Sequence, residues 1–453
     1  MTEKSRLTKD LTRGNPFGLI LGFAVPLLLG YVFQQFYTVV DTIIVGKFLG
    51  VQDLAAVGST GAVNFLVIGF CMGLCSGFAI PVAQKFGAHD YSAMRRFVYA
   101  AALLTAAFSV ALAVLTVLFC RPLMRFMRTP PDIIEHAVQY ISIIFGGIPA
   151  ILAYNMLAGI IRSLGDSRTP LIFLLVSSVL NIGLDLLFIC VCNIGIIGAA
   201  WATVIAQGIS AIVCFIFMRQ RFEILRINSE EKRITKRQCI VLLSIGVPMG
   251  LQYSVTAIGS VILQSAVNSL GSAAVAAIAA AQKIGIFFCT PFDALGATMA
   301  TYGGQNTGAA KLERLDSGLK CACVLGFVYA ACALFVLWRF GRTFGLLFVN
   351  ATEHNILDNV QLFLLVNSSC YVLLALVNIV RFMIQGMGFS AFAVFAGIFE
   401  LVGRAVIGIA CVPVFGFAAA CFASPAAWVL ADAFLIPAYF ICRKRLSMHQ
   451  YCR

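Results

Sequence analysis

Twelve apolar stretches, each long enough to cross a bilayer, constrain this chain more than any other feature. A spanning helix needs about 20 mostly apolar residues at ~1.5 Å rise each. By hydropathy the stretches fall near 17–45, 54–80, 97–119, 136–159, 170–192, 198–218, 240–267, 273–300, 320–338, 358–380, 391–412 and 417–440. Of the 453 residues, 61% are hydrophobic and only 11% charged, whereas soluble domains carry about 25% charged residues. A soluble core cannot absorb so many long apolar runs. The expected fold is therefore all-α and integral to the membrane, with twelve transmembrane helices. The polar start, MTEKSRLTKDLTRG, leads directly into a full-length span, so no cleaved signal peptide is expected.

The net charge of +13 could suggest nucleic acid, but the basic residues sit in short loops between apolar runs, where they carry topology. Of the 32 Lys and Arg, Lys283 and Arg404 fall inside spans. Lys47, Arg121, Arg125, Arg128, Arg339 and Arg342 fall on the side opposite the termini. The other 24, including Lys4, Arg6, Arg381 and Arg453, fall on the terminal side. The positive-inside rule then puts both termini in the cytoplasm. The 16 cysteines lie mostly singly within apolar segments and read as small hydrophobes. None is grouped with His or Cys in a zinc-binding pattern.

The chain repeats itself. QKFGA at Gln84–Ala88 returns as QNTGA at Gln305–Ala309, 221 residues later. Asn155, Gly165 and Ser167 return 223 residues later as Asn378, Gly388 and Ser390. Pro26 matches Pro248, and Gly195 matches Gly416. These matches keep register with the span count. They predict two six-helix lobes, residues 1–219 and 239–453, joined by a cytoplasmic loop over 220–238. Six spans per repeat give both halves the same orientation. That places a cavity between them near the midplane, as in an alternating-access carrier rather than a channel.

Few polar residues interrupt the spans. Asp41 is the one charge between Pro16 and Gly46, and an ionisable group at that depth costs about 3 kcal/mol to insert. Gln34, Tyr37 and Asp41 share a helix face, as do Asn181 and Asp185. Counted from the span ends, Asp41, Asp185 and Thr203 agree in depth to within one turn. If the first, fifth and sixth spans are neighbours, these side chains form a hard-oxygen cage for H⁺ or Na⁺. The plainer alternative is a protonated carboxyl and its structural hydrogen-bond partners. Pro26 removes a backbone hydrogen bond and can kink the first span.

The second half lacks these carboxylates. It carries Lys283, Asp293 after Pro291, and Asp432 near the inner end of the last span, where it can reach the interface. Glu400 and Arg404, at i and i+4, read as a structural ion pair. Gln252, Tyr253, Lys283 and Asp293, with Gln34 and Tyr37 in the first half, are candidates to line a substrate cavity.

With Asp41, Asn181, Asp185, Thr203 and the duplicated Gln-x-x-Gly-Ala loops in view, the chain resembles the multidrug and toxic compound extrusion (MATE) family over nearly its whole length. Its DinF-like branch looks nearest. The resemblance implies a cation-coupling site built from those four residues, serving H⁺ or Na⁺, the metal site if the ion is Na⁺. It also implies a hinge at Pro26 and export of cationic or amphiphilic organic compounds by ion-driven antiport. The expected location is the inner (plasma) membrane, and the expected state is a monomer with no cofactor beyond the coupling ion. A small organic substrate and membrane lipids are the expected partners, with no nucleic acid. Gln252 stands near where another branch has a span-seven Glu, which argues against a second-lobe Na⁺ site of that kind. A lipid or lipid-linked saccharide flippase of the same superfamily is the alternative. An enzyme is not expected: the sequence shows no His/Cys cluster, no paired Ser and His, and no P-loop.

Overall fold

The computed structural model describes residues 8–127 and 129–451, with side chains as far as Met448. Lys4, Arg6, Arg128 and Arg453, all weighed above, lie outside the described residues. The described chain is built of α-helices and contains no strand. They are α1 (Pro16–Phe48), α2 (Val51–Gly87), α3 (Tyr91–Phe126), α4 (Ile134–Gly146), α5 (Ile148–Ser163), α6 (Arg168–Asp185), α7 (Ile196–Arg221), α8 (Lys236–Asn268), α9 (Ser272–Gly308), α10 (Leu312–Gly345), α11 (His354–Ser369), α12 (Tyr371–Gly386), α13 (Ala391–Val406), α14 (Val412–Cys421) and α15 (Ala423–Tyr451). Ten stretches are apolar and long enough to span alone. The pairs α4–α5 and α11–α12, bent by 46° and 50°, bring the number to twelve if each pair is one span.

The backbone repeats as the sequence does. The bends fall at Gly147 and Cys370, and π-helical turns follow α6 and α13 at Leu186–Val191 and Ile407–Cys411. Left-handed residues recur in pairs: Gly50 with Gly271, His89 with Ala310, Gly165 with Gly388, and Gly195 with Gly416. Every pair is offset by 221 or 223 positions. Gly416, at φ 62°, interrupts α14, so the last span starts after it as α7 starts after Gly195. Gly165 is needed twice over: its φ is +83°, and a Cβ there would lie 1.9 Å from the Lys9 carbonyl oxygen.

The helices form two compact units. The first is Leu29–Gly250 with the N-terminal residues as far as Asp10; the second is Leu11–Leu28 with the chain from Leu251 onward. The expected lobes, divided at the 220–238 loop, differ from these units in two half-helices: the first part of α1 and the first part of α8. Both divisions lie two residues beyond a proline, Pro26 in α1 and Pro248 in α8. α1 runs on through Pro26 as one helix.

Local packing explains both memberships. In the first unit, α2 meets the start of α8 at small residues on both sides. A Cβ on Gly73 would lie 2.4 Å from the Met249 carbonyl oxygen, and one on Gly77 would lie 2.5 Å from the Gly246 Cα. Glycines four apart let two helix backbones touch, the usual device where lipid removes the hydrophobic drive between helices. In the second unit the duplicated QNTGA motif clamps the segment before α1. The Leu11 amide donates to Gln305 Oε1 at 2.8 Å, Asn306 Nδ2 donates to the Leu11 carbonyl at 3.3 Å, and Lys311 Nζ donates to the Thr12 carbonyl at 2.9 Å. Gln305 and Asn306 are fully buried.

The 220–238 loop is held to the first unit through one glutamate. Arg95 grips Glu231 in a two-pronged contact, Nε to Oε2 at 2.7 Å and Nη2 to Oε1 at 2.6 Å, while Arg95 Nη1 donates to the Ile224 carbonyl. Glu231 also accepts from the Asn228 amide at 3.0 Å and closes a capping box. The Arg95 hydrogen bonds pull the Glu231 carboxyl down to about 2. A carboxyl lowered on folding stabilises at and above its ordinary range and loses that contribution as pH falls through about 2, so the clamp is intact throughout pH 5–8. Glu231→Gln should ease local opening of the loop by about 1.5–3 kcal/mol. Trypsin cleavage at the exposed Arg226, Lys232 and Arg233 should then become faster. Unchanged cleavage would mean that the clamp does not order the loop.

Candidate cation-coupling site

A group of buried polar side chains in the first unit gathers along the second half of α6. Asn181 and Asp185 are one turn apart on α6, and the π turn begins directly after Asp185. α7 packs alongside α6 and carries Thr203. Gly30 of α1 sits against the side chains of Leu171 and Leu174 of α6. The same half of α1 carries Tyr37 and Asp41 one turn apart.

Asn181 Nδ2 donates to Thr203 Oγ1 at 3.4 Å, and the Thr203 hydroxyl donates to the Ala199 carbonyl at 3.2 Å. The Thr203 proton is thus turned away from the site, leaving an acceptor facing Asn181. The carboxyls of Asp41 and Asp185 lie within hydrogen-bonding reach of one another. Asp185 is fully buried and Asn181 nearly so. Yet Asp41 Oδ1, Asn181 Oδ1 and both Asp185 oxygens find no protein donor. A buried polar atom without a partner costs about 1–3 kcal/mol, and more if it is charged. Four such oxygens together make a surplus of acceptors that a proton or a small hard cation can satisfy.

Beside them is a cavity lined by Tyr37, Ser177, Ser178, Asn181, Thr203 and Gln207, closed by Leu174 and Ala206. About 10 Å³ of it is open to the centre of a water, roughly what one water molecule needs. Two carboxyls, an amide oxygen and a hydroxyl are all hard oxygen donors, a set suited to a light cation and not to zinc.

Asp41, Asn181, Asp185 and Thr203 are therefore together, with Tyr37 at the cavity wall and Gln34 half-buried one turn before it. Gln207 and Ser177 escaped sequence reading, although each lies four residues from a residue singled out there, Thr203 and Asn181. Tyr140, buried on α4 and close enough to feel the charges of Asp41 and Asp185, left no such signal.

Pro26, Gln252, Tyr253, Lys283 and Asp293 belong to the second unit. Gln252 is buried and accepts from Gln385 Nε2 at 2.6 Å; Tyr253 is half-buried. Asp293 is exposed. Lys283 is also exposed, with its ammonium 5.9 Å from the centre of the Phe348 ring.

Two expectations for the second half need correction, and a third gains a partner. Arg381, assigned to a loop, is buried inside α12. Glu400 and Arg404 do pair, Oε2 accepting from Arg404 Nη2 at 3.4 Å, and Glu400 Oε1 also accepts from Arg381 Nη2. Asp432 does not reach the interface and is only 4% exposed. Hydropathy averages over a window along one chain, whereas charges in a bundle find partners on other helices.

The MatE family matches residues 26–187 and 248–410. The chain belongs to the MatE family. The two matched segments start 222 and end 223 residues apart, the offset of the internal repeat. MatE proteins are membrane transporters, and this chain is a multi-pass member. It is 28% identical over 388 residues to the probable multidrug resistance protein YoeA of Bacillus subtilis (strain 168), covering 84% of this chain and 83% of that one. It is 28% identical over 348 residues to the probable multidrug resistance protein YpnP of the same organism, covering 76% and 77%. A solved multidrug resistance MATE family transporter of the MOP superfamily, in an outward-facing conformation, superposes with a TM-score of 0.90 over 97% of this chain and 98% of that one at 23% identity. At that identity the likeness speaks for the MatE fold alone.

Proposed function

We propose that this MatE protein is a secondary antiporter that exports cationic or amphiphilic organic compounds in exchange for H⁺ or Na⁺. The observation that carries the coupling is the carboxyl pair Asp41–Asp185: Asp41 Oδ1 and both Asp185 oxygens, with Asn181 Oδ1, have no protein donor. A site short of donors gains most from binding a cation, and gains it again each time the cation is replaced. Asp41, Asn181, Asp185 and Thr203 hold the ion, and Pro26 lets α1 bend as access alternates. This is the pattern of the DinF-like branch. The substrate class is supported by the multidrug resistance relatives YpnP and YoeA.

The protein works as a monomer in the plasma membrane. The deciding experiment is efflux of a fluorescent organic cation from proteoliposomes, with pH and Na⁺ gradients imposed separately. Efflux driven by one gradient supports antiport and names the ion. No response to either, with movement of a labelled lipid instead, would replace antiport by the flippase reading. Both termini and the 220–238 loop face the cytoplasm in this proposal. Ser229, exposed in that loop, should then resist an impermeant thiol reagent in intact cells when changed to cysteine on a cysteine-free background; ready labelling would invert the topology.

A further inference from the structure

A second group of buried charges lies in the second unit, and the cation site above makes no use of it. α12, α13 and α15 pack on one another. Contact between α13 and α15 is close: a Cβ on Gly403 would lie 2.8 Å from the Ala427 Cα, and Asp432 follows just over one turn later on α15. Arg381 on α12, Glu400 and Arg404 on α13 and Asp432 on α15 are each at least nine-tenths buried. Glu400 receives both arginines. Neither oxygen of Asp432 has a donor, while Arg381 Nε and Arg404 Nη1 have no acceptor. Donors and an acceptor pair thus stand unused on three helices that pack on one another.

The charges acting on Asp432 are those of Arg381 and Glu400. From α10 the Cys323 thiol faces it. α14 carries only the Cys421 thiol, and on α11 Asp358 is paired with Arg342. Asp293 on α9 also lies within range of the Arg381 charge. Two arginines and one glutamate leave a net charge of +1; an ionised Asp432 brings the four residues to zero. Low-dielectric surroundings penalise a net charge that is not matched locally.

We propose that Asp432 is a second proton-binding site, in which the Arg381 guanidinium is shared between Glu400 and Asp432. With a proton on Asp432, Arg381 stays on Glu400, the arrangement described here. When the proton leaves to water, the Asp432 carboxylate takes the unused Arg381 Nε–H, and Glu400 keeps Arg404. One proton is bound or released per cycle, and no other group changes its bonding. The ligand is a proton and not a metal cation: the Arg381 guanidinium, whose charge acts on Asp432, repels a metal. The site stands or falls apart from Asp41 and Asp185, which belong to the first unit.

The test is infrared difference spectroscopy of the full-length protein in liposomes across a pH titration, read at the protonated-carboxyl C=O stretch. It is run in an Asp41→Asn/Asp185→Asn background, so the first-unit carboxyls do not contribute. A titrating band should remain there, vanish on adding Asp432→Asn, and return at a shifted frequency with Asp432→Glu. A band that Asp432→Asn leaves unchanged would overturn the proposal. Should Asp432→Asn not fold, Asp432→Glu decides alone: an unshifted band overturns it equally. A merely structural aspartate would leave the band where it was.

Discussion

Asp41→Asn should reduce gradient-driven efflux to the rate of empty liposomes while the protein still folds. The amide preserves shape and can donate to Asp185, but it neither exchanges a proton nor supplies charge to Na⁺. Folding should survive because a neutral amide is cheaper to bury than a carboxylate, and here it gives the donorless Asp185 oxygens a partner. Asp185→Asn should act in the same direction. Since the two carboxyls are in contact, their effects should fall well short of additive, unlike those of distant independent sites. Asn181→Ala and Thr203→Ala should weaken coupling less, because each removes a neutral oxygen. Efflux is measured against imposed gradients at matched monodisperse protein. Pumping by Asp41→Asn at the unmodified rate under both gradients would remove this site from the mechanism.

The largest stability effect is expected at Glu400. Its carboxylate is the shared acceptor for two buried arginines, so Glu400→Gln strands Arg404 and leaves Arg381 to Asp432 alone. Breaking one buried pair costs about 3–5 kcal/mol, a large part of the roughly 5–15 kcal/mol by which a typical domain is stable. Folded, monodisperse protein should be nearly lost. The double variant Glu400→Gln/Arg404→Gln should recover part of the yield, because Arg404 is no longer stranded and Arg381 has only Asp432 to turn to. The triple variant Arg381→Met/Glu400→Gln/Arg404→Met should recover most of the yield, since buried ion groups can often be replaced by apolar residues at little cost. Normal yield of Glu400→Gln together with lost efflux would instead place Glu400 in the transport cycle.

Much of this molecule is local and therefore legible in one dimension. Spanning helices are recognisable because lipid demands about 20 apolar residues in a row, and twelve such runs need no knowledge of their neighbours. The repeat was legible because glycines at left-handed positions are irreplaceable: Gly195 with Gly416 and Gly165 with Gly388 keep their spacing because each needs positive φ. Asp41, Asn181, Asp185 and Thr203 stood out because a polar group is costly among apolar ones, and their depths could be counted along each helix at a fixed rise.

Partners across helices were decided by the tertiary structure alone. The first halves of α1 and α8 change units because glycines on α2 and the Gln305–Asn306 clamp select what lies against them, and no property of the half-helices announces it. Arg381 ends a hydropathic run and reads as a loop residue until Glu400, 19 positions later, is seen to neutralise it. Asp432, near a helix end, reads as interfacial until α12 and α13 are packed over it. Hydropathy and periodicity sum contributions along a chain, whereas a buried charge is settled by Coulomb and hydrogen-bonding terms between residues that only folding brings together.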